Sequence, residues 1–179
     1  MVLTGEKQIG LFWHPYDEIL VGFCHSYQLR IGDILGNPKM EENELRLRLL
    51  RPIGDSLPKE MVDIESMLVK TWQDMDKKWQ DFIEVFKKYC KVNRDYQVVL
   101  VNFEGDNYDD ELARNNYLEA KEIQAQAAQA YIEARKEYDK VFGNYMALSS
   151  KYKKVIDDIH NKECPNCPWN GNTIFPEAS

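Results

Sequence analysis

No apolar run in this 179-residue chain approaches the ~20 residues that a membrane-spanning helix needs. The clearest runs are Ile19-Leu20-Val21 and Val98 to Val101, so the sequence reads as a protein not integral to a membrane. The segment from Met1 to Lys7 lacks the basic-then-apolar layout of a secretory signal. An intracellular or virion setting is the expectation. Cysteine is scarce as well, with four residues. That is too few for a disulfide scaffold at this length, and only Cys164 and Cys167 are close in sequence, so reduced thiols are expected.

Basic residues are outnumbered, 23 against 30 acidic ones, for a net charge of -7. Nucleic-acid affinity rests on a concentrated basic surface, so general nucleic-acid binding is excluded. The Lys77-Lys78, Lys87-Lys88 and Lys153-Lys154 pairs read as solvated helix faces. Histidine is rarer still, at three residues. None sits in a nucleophile motif such as G-x-S-x-G, and there is no glycine-rich phosphate loop. The sequence reads as that of a non-enzyme.

What the chain does have is apolar residues, 44% of the total, enough to order a domain rather than leave it disordered. Residues 1–56 form a mixed N-terminal base. The run Ile9 to Trp13 predicts a short strand or docking segment over 8–13, ending at His14-Pro15. Proline followed by Asp17 and Glu18 resembles a helix start. The set Tyr16, Ile19, Leu20, Phe23, Cys24 and Tyr27 then has helical spacing, so a helix is predicted there. Gly36-Asn37-Pro38 is a stop, and Glu41, Glu42 and Glu44 ahead of Leu45, Leu47, Leu49 and Leu50 predict a second short helix. Pro52, Gly54 and Pro58 mark a corner, with Ser56 placed to cap a helix that begins at Leu57 or Pro58.

Residues 57–161 have the spacing of a long helical hairpin. Met61, Leu68, Trp72, Met75, Trp79, Phe82, Phe86 and Tyr89 form one seam, and after Leu68 the steps alternate four and three. That spacing keeps a stripe facing a partner helix and predicts a helix over 58–92. A second seam runs Tyr117, Ala120, Gln124, Ala127, Tyr131, Ala134, Tyr138, Val141, Tyr145, Leu148, Tyr152, Val155 and Ile159 without a slip, predicting a helix over 108–160. Bulky residues on the first seam meet alanines on the second, which is how close helix packing fills space. Gly143 lies off the seam. Between the helices, 93–107 breaks the pattern. Its residues Tyr96, Val98 to Val101 and Phe103 predict a strand near 97–103, with 8–13 or a neighbouring copy as its partner edge. Gly105 to Glu111 lacks the spacing of a calcium loop and reads as helix capping. The fold class is thus mainly α: a long antiparallel two-helix, coiled-coil-like hairpin with short N-terminal helices and a minor β element. An extended tail, 162–179, carries a CxxC motif.

His160, Cys164 and Cys167 have metal-like spacing, since a Cys-Pro-x-Cys turn can aim two thiolates at one zinc. A structural site takes four ligands, and Cys24, His25 or Cys90 would supply the rest. A lone CxxC is weak evidence: plain thiols in a turn are the first reading, zinc the second and a disulfide the third. His14 and His25 read as boundary and packing residues. No cofactor other than zinc is implied. The leading functional expectation is a non-enzymatic structural or assembly protein: an adaptor, collar or connector-type subunit, a homo-oligomer or part of a larger complex, with a phage-type virion as one setting. Val98, Val99, Leu100, Val101, Tyr145 and Tyr152 are its candidate interaction residues. The competing expectations are a small zinc-binding regulatory or interaction module and a coiled-coil assembly chaperone.

Overall fold

The computed structural model describes residues 8–53, 56–101 and 108–175. In chain order the elements are strands β1 (Gly10–Tyr16) and β2 (Ile19–Cys24), helices α1 (Tyr27–Leu35) and α2 (Met40–Leu49), strand β3 (Arg51–Pro52), and helices α3 (Lys59–Val101), α4 (Tyr108–Lys151) and α5 (Lys153–Glu163). They belong to two units. One comprises 1–70 and 140–179, and the other 71–139.

The first unit is built around β1. The sheet order is β2-β1-β3, antiparallel throughout. All residues from Gly10 to Pro15 are buried, because β1 is covered on both faces. Phe12 packs on one side with Cys24, Tyr27, Ile34 and Leu50, and its ring stacks on Tyr27 at 5.5 Å. At the β3 edge the Leu11 N–H donates to Glu65 Oε1 at 2.5 Å, and on the other face Trp13 meets the His160 ring at 5.3 Å. Met61, Ile64, Leu68, Val141, Tyr145 and Ile156 are buried in this unit. α1 is capped by Ser26, whose hydroxyl accepts from the Leu29 N–H, and stops at Gly36 as the sequence indicates.

The predicted helix over Tyr16 to Tyr27 is instead a hairpin strand followed by the start of α1. Asp17 and Glu18 form a two-residue turn, with Tyr16 paired to Ile19. A short apolar run satisfies both helical and strand patterns, and here pairing with the fully apolar β1 decides between them. The partner of the 8–13 segment is therefore β2, with β3 on the opposite edge. The predicted strand near 97–103 is also corrected: 97–101 continue α3, and 102–103 lie outside the described residues. So does the 105–107 part of the Gly105 to Glu111 segment. The Ser56 hydroxyl donates to Glu163 Oε1 at 2.5 Å.

The second unit consists of the outer parts of α3 and α4, packed antiparallel. Ring contacts run in opposite numerical order along the two helices: Trp72 with Tyr138 at 5.7 Å, Trp79 with Tyr131 at 5.0 Å, Tyr89 with Tyr117 at 6.0 Å and Tyr96 with Tyr117 at 4.9 Å. On α4 the less exposed positions are the second seam, from Tyr117 to Leu148. On α3 the shielded row runs Tyr89, Val92, Tyr96 and Val99, a three-four-three continuation past the predicted end at 92. At 43 residues, α3 is about 65 Å long.

The predicted continuous helix over 108–160 breaks at Tyr152, whose φ of -98° and ψ of 10° lie off the helical centre. Hydrogen bonds persist on either side, Tyr152 N–H to the Leu148 carbonyl and Ile156 N–H to the Tyr152 carbonyl, both 2.9 Å. The seam nevertheless slips by one residue. Ile156 and His160 are buried, and Val155 is 44% exposed. Among the described residues, no helix is long and apolar enough to cross a membrane.

Candidate functional site

His14 is set by an irregularity in β1. The β1–β2 register shifts between Trp13 and Tyr16, and His14 has a φ of 47°, a region that non-glycine residues seldom occupy. Such a bulge re-aims a side chain, and here it brings His14 to the face of α5 that carries Ile156 and His160. His14 Nε2 lies 2.9 Å from His160 Nε2 and 3.2 Å from Cys167 Sγ. The ligand atoms of these three residues all fall within 4.8 Å of one another. Both imidazoles are buried, and Cys167 is half-buried.

The surroundings hold this arrangement. Trp13 Nε1 donates to Glu163 Oε2 at 2.9 Å, fixing the end of α5 against β1. The Cys167 N–H donates to the Cys164 carbonyl at 3.0 Å, closing the CxxC turn, and the Trp169 N–H donates to Cys167 Sγ. The Trp169 ring lies 5.5 Å from His14. Beyond the turn, the Ile174 N–H donates to the Asp17 carbonyl at 3.0 Å. Ile174 is buried, so the tail is packed as far as 175.

Burial lowers the His14 pKa to about 4, helped by His160 and Arg51 nearby. Burial also lowers that of His160, with Asp157 and Glu163 opposing the shift and Arg51 reinforcing it. The Cys167 thiol is pushed up, again chiefly by burial. Both rings are therefore neutral at physiological pH, the form in which imidazole binds a metal.

Of the predicted ligands, the fold brings His160 and Cys167 together and adds His14. The Cys164 thiol accepts from Arg51 Nη2 and is outside the three-residue group. Cys24 is buried in the Phe12 cluster, and Cys90 is exposed on α3. All four cysteines are free thiols. His14 was legible only as a polar residue ending an apolar run, since 146 residues separate it from His160.

No protein-family model matches the chain, and no curated protein or solved structure is similar to it.

The candidate interaction residues divide. The Tyr145 ring is buried, and its hydroxyl donates to the Val21 carbonyl at 2.8 Å, so this residue is internal to the first unit. Tyr152 is half-buried, and its hydroxyl donates to Glu60 Oε1 at 2.7 Å. Val98, Leu100 and Val101 are exposed at the end of α3, and Val99 is half-buried. Leu100 extends a row whose Trp72, Trp79 and Phe86 the sequence pattern assigns to the inner seam, and of these Trp79 and Phe86 are exposed. Trp72, Trp79, Phe86 and Leu100 recur at multiples of seven along α3, with Trp79 39%, Phe86 42% and Leu100 47% exposed. On α4, Leu118 and Ile132 stand on one such row, also largely exposed. Among the described residues from Thr71 to Asp139, none is fully buried.

Proposed function

We propose that this chain is a non-enzymatic assembly protein that pairs with a second copy of itself through the outer parts of α3 and α4. The observation that carries the reading is the widened apolar stripe on the outer part of the hairpin, where none of the described residues from Thr71 to Asp139 is fully buried. Two helices packed only on each other need a narrow seam. A stripe that adds a flanking heptad row, as Trp79, Phe86 and Leu100 do, matches helices with more than one neighbour, as in a four-helix bundle.

A second copy fits for two reasons. Residues 71–101 carry six basic and five acidic side chains, whereas 108–139 carry four basic and eight acidic ones. A two-fold pairing that lays α3 of one copy along α4 of the other sets opposite net charges side by side. It is also self-complementary, the commonest symmetry among soluble oligomers. Tyrosine and tryptophan, which dominate the ring contacts of the hairpin, suit half-buried protein interfaces.

Light scattering on the eluting full-length protein tests this. The expected mass is twice the chain's 21.1 kDa, falling toward that of one chain on dilution. A monomer at every concentration would overturn the proposal.

A further inference from the structure

We infer that His14, His160 and Cys167 bind one zinc ion, which staples β1, α5 and the C-terminal turn together. The three side chains come from positions 14, 160 and 167, and their donor atoms converge on one point inside the unit rather than pairing off.

Hydrogen bonding alone does not satisfy this arrangement. His14 Nε2 faces both His160 Nε2 and Cys167 Sγ. If it is unprotonated, its single in-plane electron pair must accept from two donors. If it is protonated, one N–H must serve two acceptors, and the thiol proton is left without a partner among the three. Three electron pairs directed at one cation remove the conflict. Two imidazoles and a thiolate are donors that zinc takes in four-coordinate sites.

The spacing is close to what zinc requires. With bonds of about 2.0–2.1 Å to nitrogen and about 2.3 Å to sulfur, tetrahedral ligand atoms stand roughly 3.3–3.6 Å apart. The observed 2.9 and 3.2 Å need those two pairs to open by a few tenths of an ångström, and the third pair lies within 4.8 Å. The Trp169 N–H on Cys167 Sγ is an outer hydrogen bond of the kind that orients a ligand, while the Trp13–Glu163 bond holds the end of α5 against β1 without touching a ligand atom. The strained His14 backbone is the kind of local cost found where a side chain must be aimed. Cys164 lies in the same turn, but its thiol accepts from Arg51 Nη2 and is outside the three-residue group, so the three residues leave the fourth position to a water. A groove of about 750 Å³ lined by Val21, Tyr145, His160 and Trp169 gives solvent a route to the His160 side of the cluster.

The test is metal analysis of the full-length protein, followed by replacement of bound metal with cobalt(II). One zinc per chain surviving dialysis is expected. Cobalt should give the intense visible bands of four-coordination and a thiolate-to-cobalt charge-transfer band. Cys167→Ser should abolish the charge-transfer band, and Cys90→Ser should leave the spectrum unchanged. If Cys167→Ser fails to fold, wild type alone decides: protein stripped by chelator should regain thermal midpoint when zinc is restored. Absence of stoichiometric zinc together with no cobalt spectrum would overturn the inference. So would a cobalt spectrum identical in wild type and Cys167→Ser.

Discussion

The rings of Tyr96 and Tyr117 stack at 4.9 Å with 15° between their planes. This pairing places Tyr96 on the same helical seam as Tyr89 and Val92, so the β-branched run after it is carried into α3. Tyr96→Ala should cost about 0.5–1.5 kcal/mol from the lost ring pair, in addition to lost burial. Hydrogen exchange checks the location: amides of 93–101 should lose protection while those of β1 keep theirs.

A second link holds the turn of the β-hairpin to α2. Arg46 donates from Nε and Nη2 to the two oxygens of Asp17, at 2.9 and 2.8 Å, and also from Nη2 to Glu42. The Arg46 bond holds Asp17 below its ordinary value of 3.8. A carboxylate with a depressed folded pKa contributes stability above the unfolded value and loses it as pH falls through the folded one. Thermal midpoints measured from pH 6 downward should therefore drop below about pH 4, and Asp17→Asn should remove part of that drop. At neutral pH Asp17→Asn should cost about 1–3 kcal/mol, because Arg46 is buried and loses a charged partner.

Gly22 faces Pro15 across the hairpin. A Cβ there would stand 2.7 Å from Pro15 Cγ and 3.2 Å from Ile19 Cγ2. The proline ring is buried and has nowhere to retreat, so Gly22→Ala should destabilise by about 1–3 kcal/mol. The denaturant midpoint should fall without a change in slope.

The hairpin was legible in the sequence because its signal repeats. Thirteen seam positions on the second helix mark one face, and the structure shields that face from Tyr117 to Leu148. The strand error at 97–103 came from weighing Val98 to Val101 by local preference. The heptad step from Val92 to Tyr96 and Val99 was also present, and packing along the seam prevails over preference at such sites. The sheet was less legible, since Ile19 to Cys24 is too short to separate strand from helix by period. For the cluster, chain separation hid the answer. His160 and Cys167 are seven residues apart, whereas His14 reaches them through the β1 irregularity, which no spacing announces.

Leu100 and Leu118 separate folding from association. Each is nearly half exposed, so replacement by serine should change the stability of one chain by no more than about 0.5 kcal/mol. At an interface the same truncations remove apolar contacts, and the double variant should weaken dimerisation roughly tenfold or more. Sedimentation of wild type and variant at matched concentrations reads this directly.

If the outer hairpin pairs with a second copy, as proposed, concentration-dependent hydrogen exchange on the full-length chain reads the pairing residue by residue. Amides within 71–101 and 108–139 should gain protection as concentration rises through the dimerisation range, while those of β1 and β2 stay constant. Protection of the hairpin that is the same at every concentration would contradict the account.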